Sequence, residues 1–137
     1  MAGSFSISLE KFAIKTEKQA VVVCQKIAME AFKRVIEKSP VDTGRFRANW
    51  GCSIGSPYVG TTESFDKSGG ATIGKAVAVT AGWNGKGSIL LVNNMSYGPV
   101  LEFGRANGQP GSKQAPNGMV RITVAEMQNG AAEAAIR

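Results

Sequence analysis

Ser39-Pro40-Val41-Asp42-Thr43-Gly44-Arg45-Phe46-Arg47-Ala48-Asn49-Trp50 is the stretch on which the fold turns. Proline disfavours helical backbone in the residue before it, so a helix arriving from the N-terminal side must stop at Ser39. Val41 to Gly44 reads as a turn, with Asp42 and Thr43 able to bond nearby backbone amides and Gly44 free to change direction sharply. Beyond it, Phe46, Ala48 and Trp50 alternate with Arg45, Arg47 and Asn49. Period two sets the aromatics on one side and the arginines on the other, which predicts a half-buried strand over 45–50.

Working back towards the N-terminus, a helical pattern begins near Leu9 and is clear from Thr16 to Lys38. Ala20, Val23, Ile27, Ala31 and Val35 line one face, and Val21, Cys24, Ala28 and Phe32 form the adjoining row. With 23 helical residues the element would be about 35 Å long. Val22, Met29 and Ile36 make a third stripe, beyond what one buried face needs, and are expected at a subunit interface. Residues 1–8 read as a loose arm with one alternating pair, Phe5 and Ile7.

Working forward, Gly55 to Gly74 is a long Gly/Ser/Thr-rich loop of the kind that is functional or flexible. Lys75 to Trp83 predicts a second strand, with Val77, Val79, Ala81 and Trp83 on one face. Asn84-Gly85 then signals a hairpin. Ser88 to Asn94 is the returning strand, apolar on both faces and so expected to be central. Tyr97 to Phe103 predicts a short helix, and Gly104 to Gly118 a second long loop, also expected to be flexible. The end of the chain fits either period: Val120, Ile122 and Val124 alternate, while Val120, Val124 and Met127 suit a helix. Helix is preferred because Ala-Glu-Ala-Ala continues it, with Gly130 interrupting. The expectation is a single α+β domain over 1–137: a long N-terminal helix on a small antiparallel sheet of three to four strands, with a C-terminal helix.

Composition narrows the function. The 137 residues are 43% hydrophobic and 19% charged, which suits one globular domain. The sequence has no histidine, which removes the commonest general base, the His-dependent nucleophile pairs and most zinc sites. The net charge of +6 is spread as +3 over residues 1–38, +2 over 39–98 and +1 over 99–137. Such a diffuse excess argues for mild polyanion affinity rather than a recognition code. Cys24 and Cys52, without CxxC spacing, read as free thiols. The longest apolar run is only Ala20 to Cys24, so neither a signal peptide nor a membrane span is expected.

Apparent catalytic motifs dissolve on inspection. Asp42-Thr43-Gly44 is the tripeptide of aspartic proteases, but it follows a helix stop instead of an apolar strand, and Arg45 sits beside a carboxylate that would have to share a proton with a twin. Ser-x-x-Lys occurs twice, at Ser8–Lys11 and Ser64–Lys67, without the further motifs of that enzyme class. Gly85-Lys86-Gly87-Ser88 lacks the first glycine of a phosphate loop, Thr80 standing in its place. No metal-ligating cluster and no cofactor motif is present, and the two tryptophans and two tyrosines suit core or interface positions.

The ordered set of Ser39–Trp50, Tyr97 through Leu101-Glu102-Phe103-Gly104, and Ala115-Pro116-Asn117-Gly118-Met119-Val120-Arg121 resembles the tail-completion or head–tail joining proteins of long-tailed bacteriophages. The resemblance spans roughly Phe5 to Gln128. It departs from the family at the Gly/Ser-rich insertion over 55–74.

The resemblance implies a non-enzymatic virion protein, assembled in the host bacterial cytoplasm and placed at the neck. There it would form a ring of six between the connector or stopper and the tail-terminator and tail-tube proteins. The genome would make only transient, non-specific contact in the lumen. Arg45 and Arg47 are expected to pair with Glu102, within the fold or across the ring. Arg105 and Lys113, on the second loop, are expected at a partner surface, and Tyr97 and Phe103 as packing anchors. The competing readings are a tail-terminator ring, a non-specific DNA-binding protein and, last, a homodimeric aspartic protease.

Overall fold

A computed structural model describes residues 16–136. The N-terminal arm, the segment from Leu9 and the first Ser-x-x-Lys hit lie outside them. Helix α1 spans Glu17–Lys38, about 33 Å. Thr16 caps it by accepting the Gln19 N–H at 3.1 Å, and the chain leaves the helix at Ser39, before the proline.

Arg45–Ala48 is a short helix, α2, and not a strand. Phe46 and Trp50 lie four residues apart, a spacing common to one face of a helix and one face of a strand. Gly44 decides between them. Its φ of +93° starts the helical turn, and a Cβ there would meet the Lys67 and Asp66 amide nitrogens at 2.7 and 2.8 Å. Strand β1 follows as Trp50–Ile54.

The segment expected to form the second strand is also helical: α3 spans Gly70–Ala81. Its buried residues are Thr72, Ala76 and Thr80, spaced by four, whereas Val77 is on the exposed side. Asn84-Gly85 therefore links a helix to a strand and makes no hairpin. Strand β2, Ile89–Asn93, pairs antiparallel with β1 from Trp50↔Asn93 to Ile54↔Ile89. Among the described residues the sheet has two strands, so the strand count of three to four is not reached and β2 is not central.

Helices α4, Gly98–Phe103, and α5, Val120–Glu126, agree with expectation. The chain kinks at Asn129–Gly130, where Gly130 takes φ +116°, and ends in α6, Ala132–Ala135. Two apolar clusters hold these elements. Val35, Phe46, Met95, Ala115 and Met119 form one, with Trp50 and Leu91 against it. Ile27, Met127 and Ala132 form the other, with Val23 and Ala31. The expected inner face of α1 thus serves both clusters. Arg34 and Lys38 of α1 also reach Glu126 at 3.0 and 2.6 Å, fastening the C-terminal helix to the first.

Candidate interaction surface

The Ser39–Trp50 block is a bonding hub. Ser39 Oγ donates to Val35 O at 2.9 Å and accepts from Trp50 Nε1 at 2.6 Å, while the Trp50 ring meets Phe46 edge-on at 5.9 Å. Arg47 donates to the carbonyls of Glu37, Ser39 and Lys67 at 2.9, 2.7 and 2.6 Å. It therefore ties the end of α1, where the helix dipole favours a cation, to the segment before α3. Burial lowers the Arg47 pKa, against the nearby Asp66 and Glu37 charges, but a guanidinium stays protonated at any ordinary pH. Thr43 Oγ1 accepts the Arg45 N–H as expected, and Asp42 lies exposed.

Two carboxylates act as helix caps, one local and one distant in sequence. Asp66 accepts the Gly69 and Thr72 amides and the Thr72 hydroxyl at the start of α3, at 3.1, 2.8 and 2.7 Å. Glu102, only 5% exposed, accepts the amides of Met119, Val120 and Arg121 at the start of α5, at 2.9, 2.7 and 3.0 Å. Arg121 Nε adds a fourth bond at 3.0 Å, and Arg121 Nη2 donates to the Glu102 carbonyl. Burial alone would raise both carboxyl pKa values. The bonds from Thr72 and Gly69 to Asp66, and from Val120, Arg121 and Met119 to Glu102, outweigh it and hold both below their ordinary range. Close approach is possible because Gly118, at φ +80°, has no Cβ to strike the Glu102 carbonyl.

Within the fold, then, Glu102 pairs with Arg121 and not with Arg45 or Arg47. Arg45 Nε instead donates to Thr62 O at 3.3 Å. Of the third stripe on α1, Ile36 is enclosed in the chain's own core, Met29 is half-buried and Val22 is exposed. Ile36 therefore offers no surface to a neighbour. Arg105 and Lys113 are both exposed. Tyr97 packs on Phe46 at 5.5 Å, and Phe103 lies under the Arg121 guanidinium at 5.2 Å.

Both long loops are tethered. Asn94 Nδ2 donates to the carbonyls of Tyr58 and Gly60 at 2.9 and 3.1 Å, and Asn49 exchanges two bonds with the Thr62 backbone at 2.8 and 2.9 Å. Gln114 exchanges two with Val41, at 2.8 and 2.9 Å. Held this way, the first loop still leaves Val59 83% and Phe65 66% exposed. Phe103, Pro116, Asn117, Arg121 and Ile122 line an open groove of about 490 Å³. Val59 and Phe65 are not marked by any local periodicity in the sequence, and the bond of Arg121 to Glu102 is not legible there although Arg121 stands in the Ala115–Arg121 block. Among the described residues no group of three or more His, Cys, Asp or Glu side chains is placed to hold a metal ion. Nor is any described helix long and apolar enough to cross a membrane.

Comparison with curated proteins finds no match, and neither does comparison with solved structures. The family model described as "HK97-gp10_like: Bacteriophage HK97-gp10, putative tail-component" matches residues 4–104. That range contains the Ser39–Trp50 hub and ends one residue after α4, leaving Pro116, Asn117, Arg121 and Ile122 of the groove, and with them α5, beyond it. With most of its length matched, the chain belongs to the HK97-gp10-like family of bacteriophage tail components.

Proposed function

We propose that this structural tail component works as a ring-forming subunit at the head–tail junction, completing the tail or joining it to the head without catalysis. The ring would hold six copies between the connector or stopper and the tail-terminator and tail-tube proteins, after assembly in the host cytoplasm. Genomic DNA would pass through its centre with transient, non-specific contact, which a dispersed positive charge suits better than a dense basic patch.

The observation that supports this most is the exposure of large apolar side chains on two separate parts of a small chain. Val59 and Phe65 protrude from one loop, and Tyr97, just before α4, and Val100 and Phe103 within it are exposed as well. Exposed apolar surface of that kind is normally covered in the working assembly. The motif residues, by contrast, are committed to holding backbone in place, as a scaffold requires.

Imaging of particles made without this gene tests the reading. Filled heads beside free tails are the expected product. Overlong tails would replace it with a tail-terminator role, and normal, infectious particles would overturn it.

A further inference from the structure

The two loops carry opposite charge. Between residues 48 and 66 the only charged side chains are Glu63 and Asp66, and Glu63 is exposed between the protruding Val59 and Phe65. Between residues 103 and 125 they are Arg105, Lys113 and Arg121, with no acidic residue in the span. All three cations are exposed, and they stand on the segment that supplies Pro116, Asn117 and Ile122 to the groove beside Phe103. One part of the chain is thus an apolar projection that carries the exposed Glu63, and another is a recess of mixed lining on a segment that carries Arg105, Lys113 and Arg121 and no acid. The projection does not fill the recess of its own chain, since Val59 and Phe65 remain open to solvent.

From this complementarity we infer that the 55–66 loop of one copy docks into the Phe103–Ile122 groove of the next. Val59 and Phe65 meet Phe103, Pro116 and Ile122, and Glu63 faces Arg105 and Lys113. The occupant of the groove is a second copy of this chain. Two different surfaces meet, so the contact is head-to-tail. A contact of this kind closes into a ring when its rotation divides a full turn, which the ring reading requires. The inference rests on the ring reading above and adds to it the surfaces that join neighbouring subunits. Arg121 serves mainly as the floor, its guanidinium held by Glu102 and stacked on Phe103. The charges set register and partner choice, and the apolar residues exclude water.

Cross-linking in assembled particles tests the contact. Particles carrying Glu63→Cys and Lys113→Cys together are treated with a short bis-maleimide, and a parallel sample with a general amine cross-linker. The expected result is a ladder of multimers from the double variant and from the amine reagent, and no ladder from either single variant. A ladder with the amine reagent alone would leave the ring standing and overturn this contact. No ladder with either reagent would overturn both.

A charge exchange gives a second readout. Glu63→Arg alone should lower incorporation into particles about tenfold, and adding Arg105→Glu and Lys113→Glu should restore it. Loss in the single variant without recovery in the exchanged one would overturn the proposal. Because Glu63, Arg105 and Lys113 are exposed, folding of the free chain should be unchanged, which circular dichroism verifies.

Discussion

The Glu102 carboxylate accepts both the backbone N–H and the Nε–H of Arg121, each at 3.0 Å. One side chain thus caps a helix that begins eighteen residues later and fixes the cation on its first turn. Glu102→Ala removes the cap from three amides and leaves Arg121 without its anion. The expected loss is about 2–4 kcal/mol, read as a shift in the urea unfolding midpoint. A loss below about 1 kcal/mol would show that water replaces the carboxylate without penalty.

The same geometry sets a pH dependence. Asp66, Glu102 and Glu126 all have carboxyl pKa values held below the ordinary range, Glu126 chiefly by its bond to Lys38 and then by Arg34. A carboxyl whose folded pKa is depressed contributes stability that is complete above its unfolded value and disappears as pH falls through the folded one. Stability should therefore be level near neutrality and decline below about pH 4. Thermal melts across pH 2–7 check this, and Glu102→Gln should flatten the decline.

Gly44 and Gly60 form a matched pair for backbone strain. Both have positive φ, +93° and +89°, but a Cβ at Gly44 meets backbone within 3 Å while one at Gly60 meets nothing within 4 Å. Gly60→Ala should cost about 1 kcal/mol from the left-handed conformation alone. Gly44→Ala should cost at least about 3 kcal/mol, because the segment at Asp66 and Lys67 would have to move as well. Equal midpoints for the two variants would contradict this placement of Gly44.

The link between Ser39 and Trp50 gives an asymmetric prediction. Ser39→Ala leaves the Trp50 indole N–H without its acceptor and should cost about 1–3 kcal/mol. Trp50→Phe keeps the ring beside Phe46, and the Ser39 hydroxyl still donates to Val35, so the hydrogen-bond loss is about 1 kcal/mol. Denaturant titration of both variants and the double variant yields the coupling: the double variant should lose less than the sum of the two single losses.

Arg47→Lys should destabilise by about 1–3 kcal/mol, since an ammonium cannot span the carbonyls of Glu37, Ser39 and Lys67 as a planar guanidinium does. Arg45→Lys, at a residue with one long bond to Thr62, should stay within about 0.5 kcal/mol. The two arginines look equivalent in the sequence, and chemical denaturation separates them.

Much of the architecture was legible because its signals are local. The helix stop at Ser39-Pro40, the inner face from Val23 to Val35, the short helix before Gly104 and the break at Gly130 are each written in a few adjacent residues. The two misread strands share one cause. In Arg45–Trp50 the key aromatics are four apart, which both periods allow. In Lys75–Trp83 the valines alternate, yet the positions that become buried are Thr72, Ala76 and Thr80, small residues with little hydropathy of their own. Helical packing of that segment against α1 and β1 settled the matter.

The sequence by itself determined the family, the long first helix, the absence of histidine chemistry and the glycine at the sharp turn, since these depend on residue identity and near neighbours. Only the tertiary structure decided what Glu102, Asp66 and Arg47 bond. The partners of Glu102 are helix-end amides 17 to 19 residues away, and Arg47 reaches carbonyls up to 20 residues away, whereas Asp66 caps a helix that starts only four residues on. Unsatisfied backbone groups of this kind leave no periodic trace in the chain. It also decided which apolar side chains stay outside, because Ile36 and Phe65 differ in burial through the packing around them and not through their hydrophobicity.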